Sequence, residues 1–149
     1  MKVDVDSITD KGIVQEEDVN ASSWDLDTDD VRFVNDIHLL CEFRRISDEI
    51  LVKARVVSER QSRCSRCLEI KGDRRTQDFI FSYDRKTLGK FLEVDERIRE
   101  EILLDWPMKP LCKDDCKGMC PVCGKNLNAA PCACTIQKPN PFHKLTADS

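Results

Sequence analysis

The chain runs to 149 residues, 40% hydrophobic, 35% charged and 6% aromatic, with a formal net charge of −4. That length suits one domain with a small appendage and can bury a core without staples. The apolar content argues against a wholly disordered chain, and no apolar run approaches the roughly 18 residues of a membrane-crossing helix.

The opening residues, MKVDVDSITDKGIVQ, lack the apolar stretch of a signal peptide and are too acidic for an organelle import peptide. We therefore expect a cytoplasmic protein of bacterial type. Residues 1–30 hold ten acids against two bases, a net −8, and read as an acidic N-terminal arm with a strand near Ile13–Val19. From Val31 the pattern sharpens. Val31, Phe33, Ile37, Leu39, Cys41 and Phe43 fall on odd positions, with Asn35 the exception, which is the period of a half-buried strand. Ser47-Asp48 supplies turn chemistry. Ile50, Val52, Ala54 and Val56 then alternate with Lys53 and Arg55 as a second strand, and Phe79, Phe81 and Tyr83 close a third. A helix follows, with Asp95 as its N-cap, Val94, Ile98 and Ile102 repeating every four residues, Leu103 and Trp106 widening the apolar face, and Pro107 as the stop.

Nine cysteines stand out, at 41, 64, 67, 112, 116, 120, 123, 132 and 134. An odd count without a secretion signal argues against a disulfide framework. Cys41 sits in an apolar strand pattern and reads as a small buried hydrophobe. The other eight group as Cys64-x₂-Cys67 and as Cys112, Cys116, Cys120-Pro-Val-Cys123-Gly, Cys132 and Cys134. A two-residue gap lets both sulfurs face one ion, and the following glycine lets backbone amides approach the sulfur. Zn²⁺ takes four ligands in a tetrahedron, and eight cysteines make two such sets. In the simplest partition Cys120, Cys123, Cys132 and Cys134 close one site, while Cys64 and Cys67 meet Cys112 and Cys116 in the other. In a rival one the two CxxC pairs share an ion. Iron–sulfur ligation is compatible with the spacing, but CPxCG is the common structural-zinc knuckle, so zinc is expected first. A thioredoxin-like redox pair would need a βαβ setting that is absent.

No catalytic constellation emerges. His38 and His143 lack ligand spacing with the cysteines, Glu16-Glu17 and Asp29-Asp30 read as solvated surface, and no phosphate-binding or nucleophile-elbow motif is present. Residues 53–75 carry eight bases against three acids. Arg60, Arg63, Arg66, Arg74 and Arg75 are the candidates there for contact with RNA phosphate, with no aromatic residues between for base stacking.

The order CSRCLE after a strand, a helix reading ERIREEILLDWP, then KPLCKDDCKGMCPVCGKNLN and a Cys-x-Cys pair resembles the YceD family, the large ribosomal RNA subunit accumulation proteins, over residues 31–134. The resemblance implies a role in making or stabilising large-subunit (23S) rRNA in bacteria and plastids, often from a gene beside that of a large-subunit ribosomal protein. Some members lack the metal cysteines, which implies a structural metal, and the family supplies no catalytic residue. The expected fold is α+β: a β-rich antiparallel sheet or partial barrel with one main helix and a Cys-rich metal-binding C-terminal module. The expected layout is an arm over 1–30, a core over 31–110, and a zinc module with tail over 111–149. The expected function is a non-enzymatic factor for 23S rRNA synthesis, processing or stability, with Arg60, Arg63, Arg66, Arg74 and Arg75 on one rim fixed by zinc. Its partners would be rRNA or a pre-ribosomal particle and a large-subunit ribosomal protein, with no membrane and no small-molecule substrate. Two other readings stay open: a zinc-stabilised protein–protein adaptor, and a thiol redox sensor.

Overall fold

A computed structural model describes residues 1–135. His143 and the tail beyond residue 135, assigned above to the zinc module, lie outside the described residues. Among the described residues seven strands form: β1 (Lys2–Asp4), β2 (Ile13–Val19), β3 (Val31–Phe33), β4 (Ile37–Ile46), β5 (Glu49–Arg63), β6 (Ile70–Asp84) and β7 (Phe91–Glu93), followed by α1 (Asp95–Leu104). The expected α+β class holds: the described residues form a five-stranded antiparallel sheet (β2 to β6), a two-stranded one (β1 and β7) and one α-helix.

β5 organises the sheet. Its first half pairs with β4 across the two-residue turn Ser47-Asp48, and its second half pairs with β3 on the same edge. β6 runs along the whole opposite edge, from Glu49↔Asp84 to Arg63↔Ile70. The sequence period decides which face is buried. Ile37, Leu39, Cys41 and Phe43 of β4 and Ile50, Val52 and Val56 of β5 are all 0% exposed. Each such large aliphatic or aromatic side chain contributes roughly 1.5–3 kcal/mol on burial. The helix packs Ile98 and Ile102 into this cluster, with Leu103 and Trp106 at its margin.

Three expectations change. The run of odd positions from Val31 to Phe43 is two strands, broken at residues 34–36 where Asn35 departs from the pattern. Asp95 is the first helical residue rather than the N-cap. Val94 takes the cap position, its isopropyl side chain offering no acceptor and packing wholly into the core while its carbonyl accepts from the Ile98 amide at 3.0 Å. Residues 1–30 are woven into the domain instead of forming an arm. β1 pairs with β7 and β2 pairs with β4, and Val3, Val5, Ile8, Val19, Ala21 and Leu26 are buried. The acids lie between these apolar residues and point outward, so counting charge over the segment averages away the alternation that folds it.

Candidate metal centres

The fifteen residues of β5 carry the chain well past the main core, so that the turn between β5 and β6 stands clear of it. Cys64 and Cys67 occupy this turn. The segment after α1 returns to it: the Ser65 amide donates to the Pro110 carbonyl at 2.8 Å, bringing Cys112 and Cys116 alongside. The ligand atoms of Cys64, Cys67, Cys112 and Cys116 all lie within 4.8 Å of one another, as do those of Cys120, Cys123, Cys132 and Cys134. This is the simplest partition, and the two CxxC pairs do not share an ion site. The cysteines are free thiols rather than disulfides. Sγ–Sγ separations of 3.7 Å (Cys64–Cys116) and 3.6 Å (Cys67–Cys112) match the edge of about 3.8 Å of a tetrahedron with metal–sulfur bonds near 2.3 Å.

The two CxxC turns have the same backbone wiring. The Leu68 amide donates to the Cys64 carbonyl and the Gly124 amide to the Cys120 carbonyl, both at 2.9 Å. The Cys64 amide donates to the Glu69 carbonyl at 2.9 Å, and the Cys120 amide to the Lys125 carbonyl at 2.8 Å. After the second cysteine the chain must turn left-handed, and Gly124 does so at φ 71°. Leu68 adopts the same conformation at φ 61°, so a leucine fills the place that the glycine fills in the second knuckle.

Thiol ionisation follows these donors. Burial works to raise Cys64, but the amides of Cys67, Arg66 and Cys112 outweigh it and bring the thiol down to about 6. Amides of Cys123 and Val122 bring Cys120 down to about 6. Burial opposes ionisation of Cys116 as well, and the Asn128 side-chain amide and the Gly118 amide more than offset it. Burial, then its neighbouring thiols, push Cys112 up to about 12, and contact with Cys123, then burial, does the same for Cys134. Each quartet thus holds a ready thiolate beside a thiol that resists ionising. All four can ionise together only with a cation among them, which coordination supplies. Each quartet could hold a metal ion.

Asn126 and Asn128, which carried no role in the sequence analysis, link the quartets. Asn128 Nδ2 donates to Cys116 Sγ at 3.2 Å, its Oδ1 accepts from the Lys117 amide at 2.9 Å, and Asn126 Nδ2 donates to Glu69 Oε1 at 2.8 Å. Their only sequence signal is the Asn-x-Asn that follows the second knuckle.

The five arginines do not line one rim. Along β5 and β6 successive residues face opposite sides, and Arg60 and Arg75 turn inward while Arg63 and Arg74 turn outward. Arg60 is 5% exposed. Arg74 lies 3.9 Å from Glu59, Arg75 binds Asp73 at 2.7 Å, and Arg66 donates to the Cys116 carbonyl at 3.0 Å. Arg66 therefore braces the first quartet, a role the charge count could not distinguish from RNA contact. His38, expected as an exposed strand residue, bridges Asp18 and Glu16 at 2.7 and 3.0 Å.

Comparison with known proteins finds the family described as "Large ribosomal RNA subunit accumulation protein YceD" over residues 52–147. Uncharacterised proteins of Mycobacterium tuberculosis and Mycobacterium bovis are 30% identical over 103 residues, 58% of this chain and 49% of theirs. One of Mycobacterium leprae is 26% identical over 110 residues, 64% of this chain and 51% of its own. The chain thus spans about half the length of the curated relatives it matches. No solved structure matches it significantly.

Proposed function

The chain belongs to the YceD family, and on that premise we propose that it is a non-enzymatic, cytoplasmic factor supporting the synthesis, processing or stability of large-subunit (23S) rRNA, with zinc in both cysteine quartets. The family carries the rRNA role. The observation that carries the metal is the pair of four-thiol groups, each compact enough for one ion. A multi-iron cluster interposes its own sulfides and spreads its thiolates more widely, whereas ligand atoms within 4.8 Å of one another suit a single tetrahedral ion. Zinc held by four thiolates has no open coordination position, so its part is to fold residues 111–134 against the β5–β6 turn, where few apolar side chains are available to do it. No helix among the described residues is long and apolar enough to cross a membrane.

Protein purified without oxygen should contain about two zinc ions per chain and lack the visible colour of thiolate-bound iron. A folded, metal-free protein with every thiol titratable would overturn the metal reading. Crosslinking in cells should recover 23S rRNA or its precursors. The adaptor reading has one observation in its favour: Val14 and Ile80 stand 63% and 67% exposed beside a shallow cleft on the outer face of the sheet. Recovery of a ribosomal protein without RNA would favour it.

A further inference from the structure

On the inner side of the β5–β6 ribbon, beyond the end of the apolar core, lies a cleft of about 630 Å³. One wall is the inward face of β5 and β6. The other is the segment from Pro107 to Asp114, held there by the Ser65–Pro110 hydrogen bond and by Cys112 of the first quartet. Arg60, Lys71, Arg75, Lys109 and Lys113 line it, against Asp73 and Asp114.

Arg60 is the unusual member. It is one of only two buried polar or charged side chains among the described residues, and there no hydrogen bond or ion pair engages its guanidinium. The carboxylates nearest it are already taken. Asp73, its cross-strand neighbour, accepts from Arg75 Nε at 2.7 Å, and Asp105 lies 3.5 Å from Arg75 Nη1. Burial, then the Arg75 charge, push the Arg60 guanidinium below its ordinary value, although arginine stays charged at any physiological pH. The stem of Arg60 is buried while its guanidinium nitrogens still reach the solvent of the cleft, so an anion entering there would exchange that water for charge-assisted hydrogen bonds. The planar fork of a guanidinium matches two oxygens of one phosphate, and Lys71 and Lys109, both exposed, would add point charge at the mouth.

We infer that this cleft is a binding site for a backbone phosphate of single-stranded RNA, seated on the Arg60 guanidinium and flanked by Lys71 and Lys109. The inference rests on the rRNA reading above and assigns it a place on the molecule. It also separates the roles of the arginines, since Arg63 and Arg74 face away from the cleft. The first quartet holds one wall in position, so loss of its metal would open the site.

The test uses the full-length, metal-loaded protein and a short single-stranded RNA, with inorganic phosphate as a second probe. RNA should shift the Arg60 Nε–Hε resonance. Lys71→Ala with Lys109→Ala should lower RNA affinity about tenfold at low salt and flatten the slope of log K against log salt by about 1.4, the value for two lost contacts to a single strand. Arg44→Ala with Lys53→Ala, on the outer face, should change neither. Arg60→Met should abolish the resonance shift and most of the binding. Because that variant removes a buried residue, the exposed lysine pair keeps the test decisive if it misfolds. Wild-type binding that survives in the lysine variant overturns the cleft and leaves the rRNA reading standing. Failure of the wild type to bind RNA at low salt overturns both, and a response to inorganic phosphate alone marks a free-anion site and overturns the RNA assignment.

Discussion

Gly118 and Gly124 both lie at left-handed φ, 76° and 71°, yet a methyl group at each would meet different surroundings. At Gly124 nothing lies within 4 Å of the added Cβ, so Gly124→Ala carries the conformational cost alone. That cost is about 1–2 kcal/mol, less roughly 0.4–1 kcal/mol for the stiffer unfolded chain, a net near 1 kcal/mol. At Gly118 the Cβ would sit 3.2 Å from the Arg66 carbonyl oxygen, which accepts the Met119 amide at 3.2 Å and so ties the two quartets together. The carbonyl must give way by a few tenths of an ångström, weakening a hydrogen bond worth about 1 kcal/mol. Gly118→Ala should therefore cost about 2 kcal/mol locally. Amide hydrogen exchange of the metal-loaded protein reads this directly. Protection of the Gly124 amide should fall roughly fivefold in Gly124→Ala, and that of the Met119 amide roughly thirtyfold in Gly118→Ala. Equal losses in the two variants would refute the claim that the Arg66 carbonyl is a structural junction between the quartets.

Three further outcomes are expected. Replacing Asn128 with Ala removes the side-chain donor to Cys116 and should weaken metal retention by the first quartet about tenfold in competition with a chelator; unchanged retention would show the contact to be incidental. Burial pushes the Cys41 thiol up to about 11, so its thiolate population at neutral pH is about a hundredfold below that of an ordinary thiol, and mass spectrometry after native alkylation should find it unmodified until the protein unfolds. The hydrogen bond to Asp18, then that to Glu16, raise the pKa of His38 above 6.5, so its contribution to stability is fully present below pH 6.5 and is lost as pH rises through the folded value. NMR titration of the ring should give a midpoint above 6.5 that falls back in Asp18→Asn.

The parts of this protein legible in its sequence are those governed by neighbouring residues. Alternation along β4 and β5 reports which side chains face the core, because strand geometry sends successive residues to opposite faces. The knuckle spacing likewise brings two sulfurs to one side of a tight turn, so both CxxC pairs and the eight thiols could be read as ligands. What required the tertiary structure was pairing over distance. Only the return of the chain after α1 to the β5–β6 turn separates the rival partitions of the cysteines, since spacing carries no information on which distant pairs meet. Only the pairing of β1 with β7 and β2 with β4 shows that residues 1–30 are part of the core. The basic stretch between residues 53 and 75 is visible as composition, yet its arginines divide between burial, ion pairing, bracing of Cys116 and open solvent. Charge is a sum over residues, whereas the direction a side chain faces is set by the strand and the partner on which it is fixed.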